Sequence, residues 1–287
     1  MTSRSVYLKP KIKMIVFSNS KINLGLWVLN KRPDGYHNIS TIFYPIHWCD
    51  IIETIPDDPE QNQINIQTSG ISLNIPSNQN IIYKAYHLLL DKYGNLPALK
   101  VFLHKNVPFG AGLGAGSANA AFFIKSCNSL FNLNMTTEEM KNISSQLGSD
   151  CAFFIDNTPA RASEKGDVLM PIALSLRQYY ILVVFPNIPI STQEAYKNII
   201  PFERRESILD IIQLPVTEWK YYLTNDFEDK IFQLYPLIKQ IKSSLYENGA
   251  IYAGMSGSGS AVYGIFKYKP NIKLYDKWYC YLEPPCD

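Results

Sequence analysis

The sequence predicts an α+β fold built as two domains. Three observations lead there. The chain has 287 residues, of which 46% are hydrophobic and 18% charged, enough to bury two ordinary soluble cores. Strand-like and helix-like segments follow one another without the βαβα rhythm of a doubly wound sheet. A Pro-containing bend near 157–165 interrupts the chain close to its middle, which suggests domains over 1–157 and 158–287.

The elements follow in order. The first dozen residues read as a short basic extension, without the apolar run of a signal peptide. Residues 14–30 are rich in apolar and β-branched residues with partial alternation and predict strand, with more strand over 39–47, 50–55 and 63–68. Pro33-Asp34-Gly35 between them is a turn. SNQN at 77–80 resembles a helix start, the following apolar residues recur at helical spacing, and Gly94 suits the stop. A strand over 98–104 leads into GAGLGAGSANA and a helix from about 117 to 131. Thr136-x-x-Glu139 opens a further helix that Gly148 closes. CAFFI at 151–155 and YYILVVF at 179–185 read as strands, 225–247 as the clearest helical stretch of the second half, and 253–266 as a glycine loop feeding a strand.

Bulk properties exclude several classes of function. A net charge of +2 gives no basic field for nucleic acid, and no stretch approaches the ~20 apolar residues of a membrane span. Five cysteines, without a CxxC pair, argue against a disulfide framework or structural zinc and for reduced thiols in a cytoplasmic protein.

The glycine stretch poses the chemical question. It is not a P-loop, since no Lys follows the glycines in GxxxxGK[ST] spacing. It is not the dinucleotide GxGxxG either, because the sixth position falls on Ala115 or Ser117. A strand-to-helix loop with Gly112, Gly114 and Gly116 would still bring bare backbone and a helix N-terminus to an anion. Ser117 could add a hydroxyl, and Lys105 a charge at the rim. A tight connection without a ligand would look the same. Ser256-Gly257-Ser258-Gly259-Ser260 repeats the pattern and opens into an apolar strand, which a linker does not do. Asp150 stands past a helix end as a turn residue or an acid, and Lys21 in a strand-like run as an edge lysine or a functional cation. If the two converge, they form a pair able to accept a proton from an alcohol while holding its oxygen.

Taken together, SKINLGL, RPDGYH, PFGAGLGAGSANAA, LGSDCAFF and MSGSGSAVYG resemble, in that order, the motifs of the GHMP small-molecule kinases, over about 18–266. SKINLGL paired with RPDGYH points to the branch whose alcohol is a methylerythritol carried on cytidine diphosphate. The resemblance implies two α+β domains around a cleft, with ATP and Mg²⁺ as cofactors and a small molecule as the partner, in a monomer or homodimer. It implies Asp150 as catalytic base and Lys21 as the cation that orients the attacking hydroxyl. Asn23 would contact the erythritol-phosphate side. His37 would bond the cytosine, with Tyr36 and Tyr196 at its ring faces. Asn80, Lys105 and Pro108 would lie near the nucleotide, and Gly110, Ala111, Gly112, Leu113, Gly114, Ala115, Gly116 and Ser117 would cradle its phosphates. Ala115 and Ala118 depart from the family's GLGGGSS, the latter losing a hydroxyl, and Ala152 replaces a frequent proline. A mevalonate-type, phosphomevalonate-type or homoserine-type kinase, or a silent nucleotide-binding regulator, are the alternatives. RPDGYH argues against the former, and an intact Lys21 and Asp150 against the latter.

Overall fold

The computed structural model describes residues 13–57, 63–73, 75–197, 199–202, 204 and 206–286. The predicted N-terminal extension lies outside these residues.

The first half is organised by two long antiparallel strands, β1 (Met14–Lys31) and β2 (His37–Pro56), joined through the Pro-Asp-Gly turn. What the sequence suggested as separate strands over 39–47 and 50–55 is one strand, long enough to serve three neighbours. β2 pairs with β1 along its length, with β4 (Leu99–Lys105) at its end, and with β5 (Ala160–Glu164) at its start. β3 (Ile64–Gly70) and β6 (Val168–Pro171) complete the sheet, in the order β3-β4-β2-β5-β6 with β1 also on β2.

Helices cover this sheet. α1 (Ile81–Tyr93) starts where the Asn80 side chain accepts from the Ile82 N–H at 2.9 Å, and it ends at Gly94 in the left-handed region, φ 74°. α2 (Ala115–Phe131) follows the glycine stretch, and α3 (Thr137–Ser145) begins with the predicted capping box of Thr136 and Glu139. These helices close on β4 through Ile82, Tyr86, Leu89, Phe123, Ile124 and Cys127.

CAFFI is not a strand. Residues 153–156 form a helical turn, α4 (Phe153–Asp156), closed by Asn157 in the left-handed region. Phe153, Phe154 and Ile155 are all buried, against Phe43, Ala118, Ala121, Ala160 and Ala162. A run buried on every side carries no period from which strand and helix can be told apart.

The bend near 157–165 is also more than a bend. It holds β5 and leads to β6, which belong to the first sheet, so that sheet runs to Pro171, past residue 157. We propose that the division between the halves falls after β6. Beyond it, β7 (Tyr180–Phe185), β8 (Tyr252–Met255), β9 (Val262–Phe266) and β10 (Tyr279–Glu283) form a second, antiparallel sheet in the order β10-β7-β9-β8. Between β7 and β8 run α5 (Thr192–Tyr196), α6 (Ile208–Ile211), α7 (Trp219–Tyr222), α8 (Glu228–Leu234) and α9 (Pro236–Glu247). The helical stretch predicted at 225–247 breaks at Tyr235, because Pro236 has no N–H to continue α8 and instead starts α9. The apolar cluster of Ile22, Leu24, Val183, Trp219, Tyr252 and Tyr263 joins β1 to the second sheet, so the two halves share a core. Among the described residues no helix is long and apolar enough to cross a membrane.

Candidate active site

A cavity of about 1390 Å³ opens where the halves meet. The turn before β2, the glycine stretch, the turn at Asp150, the 190–197 segment with α5, and the loop at 257–258 all line it.

Lys21 stands at its centre. β1 carries it into the interior, where it is 3% exposed, so it is not an edge lysine. Its ammonium lies 3.2 Å from Asp150 Oδ2, donates to Asn23 Oδ1 at 2.5 Å, and sits 4.4 Å from the centre of the Phe43 ring. A buried ammonium needs such partners. Asn23 is itself fixed, since its amide donates to Thr41 Oγ1 at 3.0 Å and its backbone N–H to Ser256 Oγ at 3.2 Å. Asp150 keeps its side chain 31% exposed toward the cavity. The pair that sequence spacing left open is thus formed, with a carboxylate oxygen accessible to a ligand.

The phosphate-cradle reading has a physical basis in the loop. Gly112 has φ 76°, and a Cβ there would run into the Ser256 carbonyl. Gly114 has φ 68°, and a Cβ would stand 3.0 Å from the Phe154 ring and 3.2 Å from Lys21 Cε. Both positions therefore need bare backbone for conformation and for space. Ser256 locks the two glycine loops together by donating to the Gly112 carbonyl at 2.8 Å. Asn225 in turn donates to the carbonyls of Met255 and Gly257, each at 2.8 Å. The first intrahelical bond of α2 runs from Ala118 N–H to Gly114 O at 2.9 Å. The N–H groups of Ala115, Gly116 and Ser117 come before it, at the positive end of a 17-residue helix that faces the cavity. Ala118 points away, fully buried among Phe43, Ala121 and Phe153, so its missing hydroxyl is not missing from the cavity wall.

On the same cavity wall the His37 and Tyr196 rings stack, 5.1 Å between centres and 18° between planes. No third ring fits between these two. Tyr36 is 62% exposed beside them, and Lys165 Nζ lies 5.4 Å from its ring centre. Burial, then the neighbouring Lys31 charge, holds the His37 pKa below its ordinary value, which keeps the imidazole neutral near pH 7. Burial, with Asp150 adding to it, pushes the Tyr196 phenol up to about 12.

Of the predicted residues, Lys21, Asn23, Tyr36, His37, Pro108, Gly110 through Ser117, Asp150 and Tyr196 line this one cavity. Asn80 and Lys105 do not. The Asn80 side chain is spent on capping α1. Lys105 is 2% exposed and pairs with the fully buried Asp50 carboxylate, so it is no rim charge. Asp50 also accepts from the N–H groups of Asn106 and Val107, each at 2.8 Å, and from Asn119 Nδ2 at 3.0 Å. Lys105 therefore braces the segment leading into the glycine loop from behind. Sequence reasoning missed Phe43, Thr41 and Lys165. Phe43 and Thr41 reach the site because β2 pairs Phe43 with Asn23 and Thr41 with Leu26, a register the sequence does not display. Cys151, beside the acid, is buried, and that burial pushes its thiol up to about 12, away from the thiolate form.

The family model for the GHMP kinases N terminal domain matches residues 80–158, and that for GHMP kinases C terminal matches residues 217–282. The chain is thus a small-molecule kinase of α+β architecture. It is 50% identical to the 4-diphosphocytidyl-2-C-methyl-D-erythritol kinase of Azobacteroides pseudotrichonymphae genomovar. CFP2, over 90% of this chain and 96% of that one. Identity to the enzyme of the same name from Parabacteroides distasonis is 46%, over 91% and 94% of the two chains. A crystal structure of 4-(cytidine 5'-diphospho)-2C-methyl-D-erythritol kinase superposes with a TM-score of 0.75 at 28% identity, covering 88% of this chain and 90% of the other. The chain belongs to the 4-diphosphocytidyl-2-C-methyl-D-erythritol kinase family.

Proposed function

We propose that this chain transfers the γ-phosphate of ATP to a hydroxyl of 4-diphosphocytidyl-2-C-methyl-D-erythritol, giving the 2-phosphate, in the non-mevalonate supply of isoprenoid precursors. The observation that carries this reading is the Lys21–Asp150 pair, 3.2 Å apart, in the same cavity as the N-terminus of α2.

Asp150 accepts the proton of the attacking hydroxyl, and Lys21 holds that oxygen and lowers the cost of its developing charge. The free N–H groups of α2 and the bare backbone of Gly110 to Gly114 hold the phosphates in place, since phosphoryl transfer is governed by positioning and charge neutralisation. Asn23, clamped by Thr41 and Ser256, presents its amide to the erythritol-phosphate end. Neutral His37 bonds the cytosine edge. With His37 and Tyr196 already in contact, the exposed Tyr36 ring is the face free to cover the base.

Among the described residues no group of three or more His, Cys, Asp or Glu is placed to hold a metal ion. Asp150 and the Ser117 hydroxyl suit Mg²⁺ delivered on the nucleotide, which takes most of its ligands from phosphate oxygens and water. The five free cysteines fit a cytoplasmic enzyme.

The test is ADP formation with this substrate, mevalonate or homoserine, in the wild type and in Asp150→Asn. Turnover is expected with the cytidine-linked alcohol alone. The variant should lose it by about 10²–10⁴-fold, the usual contribution of a positioned base. Turnover of mevalonate would overturn the assignment.

A further inference from the structure

Lys21 and Asp150 reach the cavity from different segments, and their separation depends on what holds those segments in register. Asp150 belongs to a compact run tied by local bonds, from Cys151 N–H to Gly148 O at 3.1 Å through Asn157 N–H to Phe153 O at 2.8 Å. On the side away from the cavity, α4 is fastened to α2 and α3. Lys125 Nζ donates to the Ile155 carbonyl at 3.1 Å, and Lys141 pairs with Asp156 at 2.6 Å. Neither contact reaches β1.

One hydrogen-bonded link from the 153–157 segment to β1 does exist among the described residues. The Asn19 and Asn157 amides pair reciprocally: Asn157 Nδ2 donates to Asn19 Oδ1 at 2.8 Å, and Asn19 Nδ2 donates to Asn157 Oδ1 at 3.1 Å. Asn19 is 6% exposed and stands two residues before Lys21. A register shift of β1 against β2 falls immediately after it, between Asn19 and Ser20, and its amide also donates to the Ser20 carbonyl at 2.9 Å. Such an irregularity re-aims the side chains that follow, Lys21 among them. Asn157 closes α4 with φ 54° and ψ 41°, a conformation that asparagine tolerates and most residues avoid. On the cavity side, Phe154 and Lys21 border the same space at Gly114, so a shift of α4 is felt where the ammonium sits.

We propose that the Asn19–Asn157 amide pair is a positioning device, which sets the distance from the Lys21 ammonium to the Asp150 carboxylate without touching either substrate. The inference rests on the roles assigned above to Lys21 and Asp150. Its energetic signature differs from that of a packing contact. Substrates are held by groups elsewhere in the cavity, so loosening the pair lowers turnover while binding persists.

The experiment is a double-mutant cycle with Asn19→Ala and Asn157→Gly, the glycine keeping the left-handed backbone while deleting the amide. Each single variant should lower kcat by about tenfold, since sub-ångström misplacement of reacting groups is costly. KM for ATP and for the cytidine-linked alcohol should stay within about twofold, and the double variant should lose no more than either single. Asn157→Asp retains one of the two bonds and the backbone conformation, and should recover part of the lost turnover. It also decides the matter if Asn19→Ala does not fold. Unchanged kcat in Asn157→Gly, a matching rise in KM, or additive losses in the double variant would each overturn the inference. Asp150→Asn, run in parallel, separates the two levels. If it remains active, the assigned chemistry is wrong. If it is inactive while Asn157→Gly turns over normally, the positioning role alone is wrong.

Discussion

His37 shows how one residue's environment sets its use. In its proposed role the His37 imidazole accepts a bond from the cytosine amino group and must stay neutral to do so, and burial beside the Lys31 charge shifts it in that direction. The sign follows. With a lowered folded-state pKa, the neutral form persists as pH falls past 6.5, the ordinary value, and is lost only below that. KM for the cytidine-linked substrate should therefore be flat from about pH 8 to 6.5 and rise at more acidic pH. His37→Ala should raise KM by about tenfold or more, leave kcat within a few-fold, and remove that acid rise. A pH profile of KM unchanged by the substitution would separate His37 from the base. Lys105 makes the complementary point. The same residue type, a few positions from the glycines, is buried against Asp50 in the interior and does not line the cavity. Nothing in a one-dimensional sequence distinguishes a lysine at a rim from one behind it.

Among the elements, the glycine loop and α2 act as a unit. The loop's shape was legible because glycine at every second position conflicts with both helix and strand, and a helix follows. The partner loop that holds it was legible only as a glycine-rich approach to a strand. The bonds from Ser256 to Gly112 and from Asn225 to the carbonyls on either side of Ser256 are tertiary facts. Gly112→Ala tests the arrangement. A Cβ meets the Ser256 carbonyl and a positive φ at once, so the two glycine loops cannot keep their present contact. KM for ATP should rise by about tenfold or more, with KM for the alcohol much less affected, and isothermal titration with a non-hydrolysable ATP analogue should show the same loss. Equal weakening of both ligands would place the damage outside the phosphate cradle. The segment at 151–155 shows the opposite case. Its apolar run is uniform because α4 is buried between β2, α2 and β5, and uniform burial erases the period by which helix and strand are read.

On the scale of the whole molecule, the site belongs to neither half alone. β1 supplies Lys21 and Asn23, the first half supplies Asp150 and the glycine stretch, and the second half supplies Tyr196, Gly257 and Ser258. The halves also share the apolar cluster that joins β1 to the second sheet. Ligands in the cleft should therefore stabilise the chain as one unit. At 100 times its Kd, a bound ATP analogue contributes ~2.7 kcal/mol, which for a chain of this size raises Tm on the order of 5 °C in a single transition. A scan in which only part of the transition moves would show that the halves melt separately.

The sequence by itself determined the class: mixed α and β elements, a glycine-rich strand-to-helix loop that is neither P-loop nor dinucleotide fold, and an acid and a lysine in motifs that, in their order, resemble those of a kinase family. These are local properties, fixed by backbone freedom, capping and the order of residues along the chain. The tertiary structure decided the rest. It brought Lys21 to within 3.2 Å of Asp150, turned Lys105 inward to Asp50, paired Asn19 with Asn157, and carried the first sheet on to Pro171. Each of these depends on which long-range partners become buried together, and strand register and burial are properties of the packed chain rather than of any window within it.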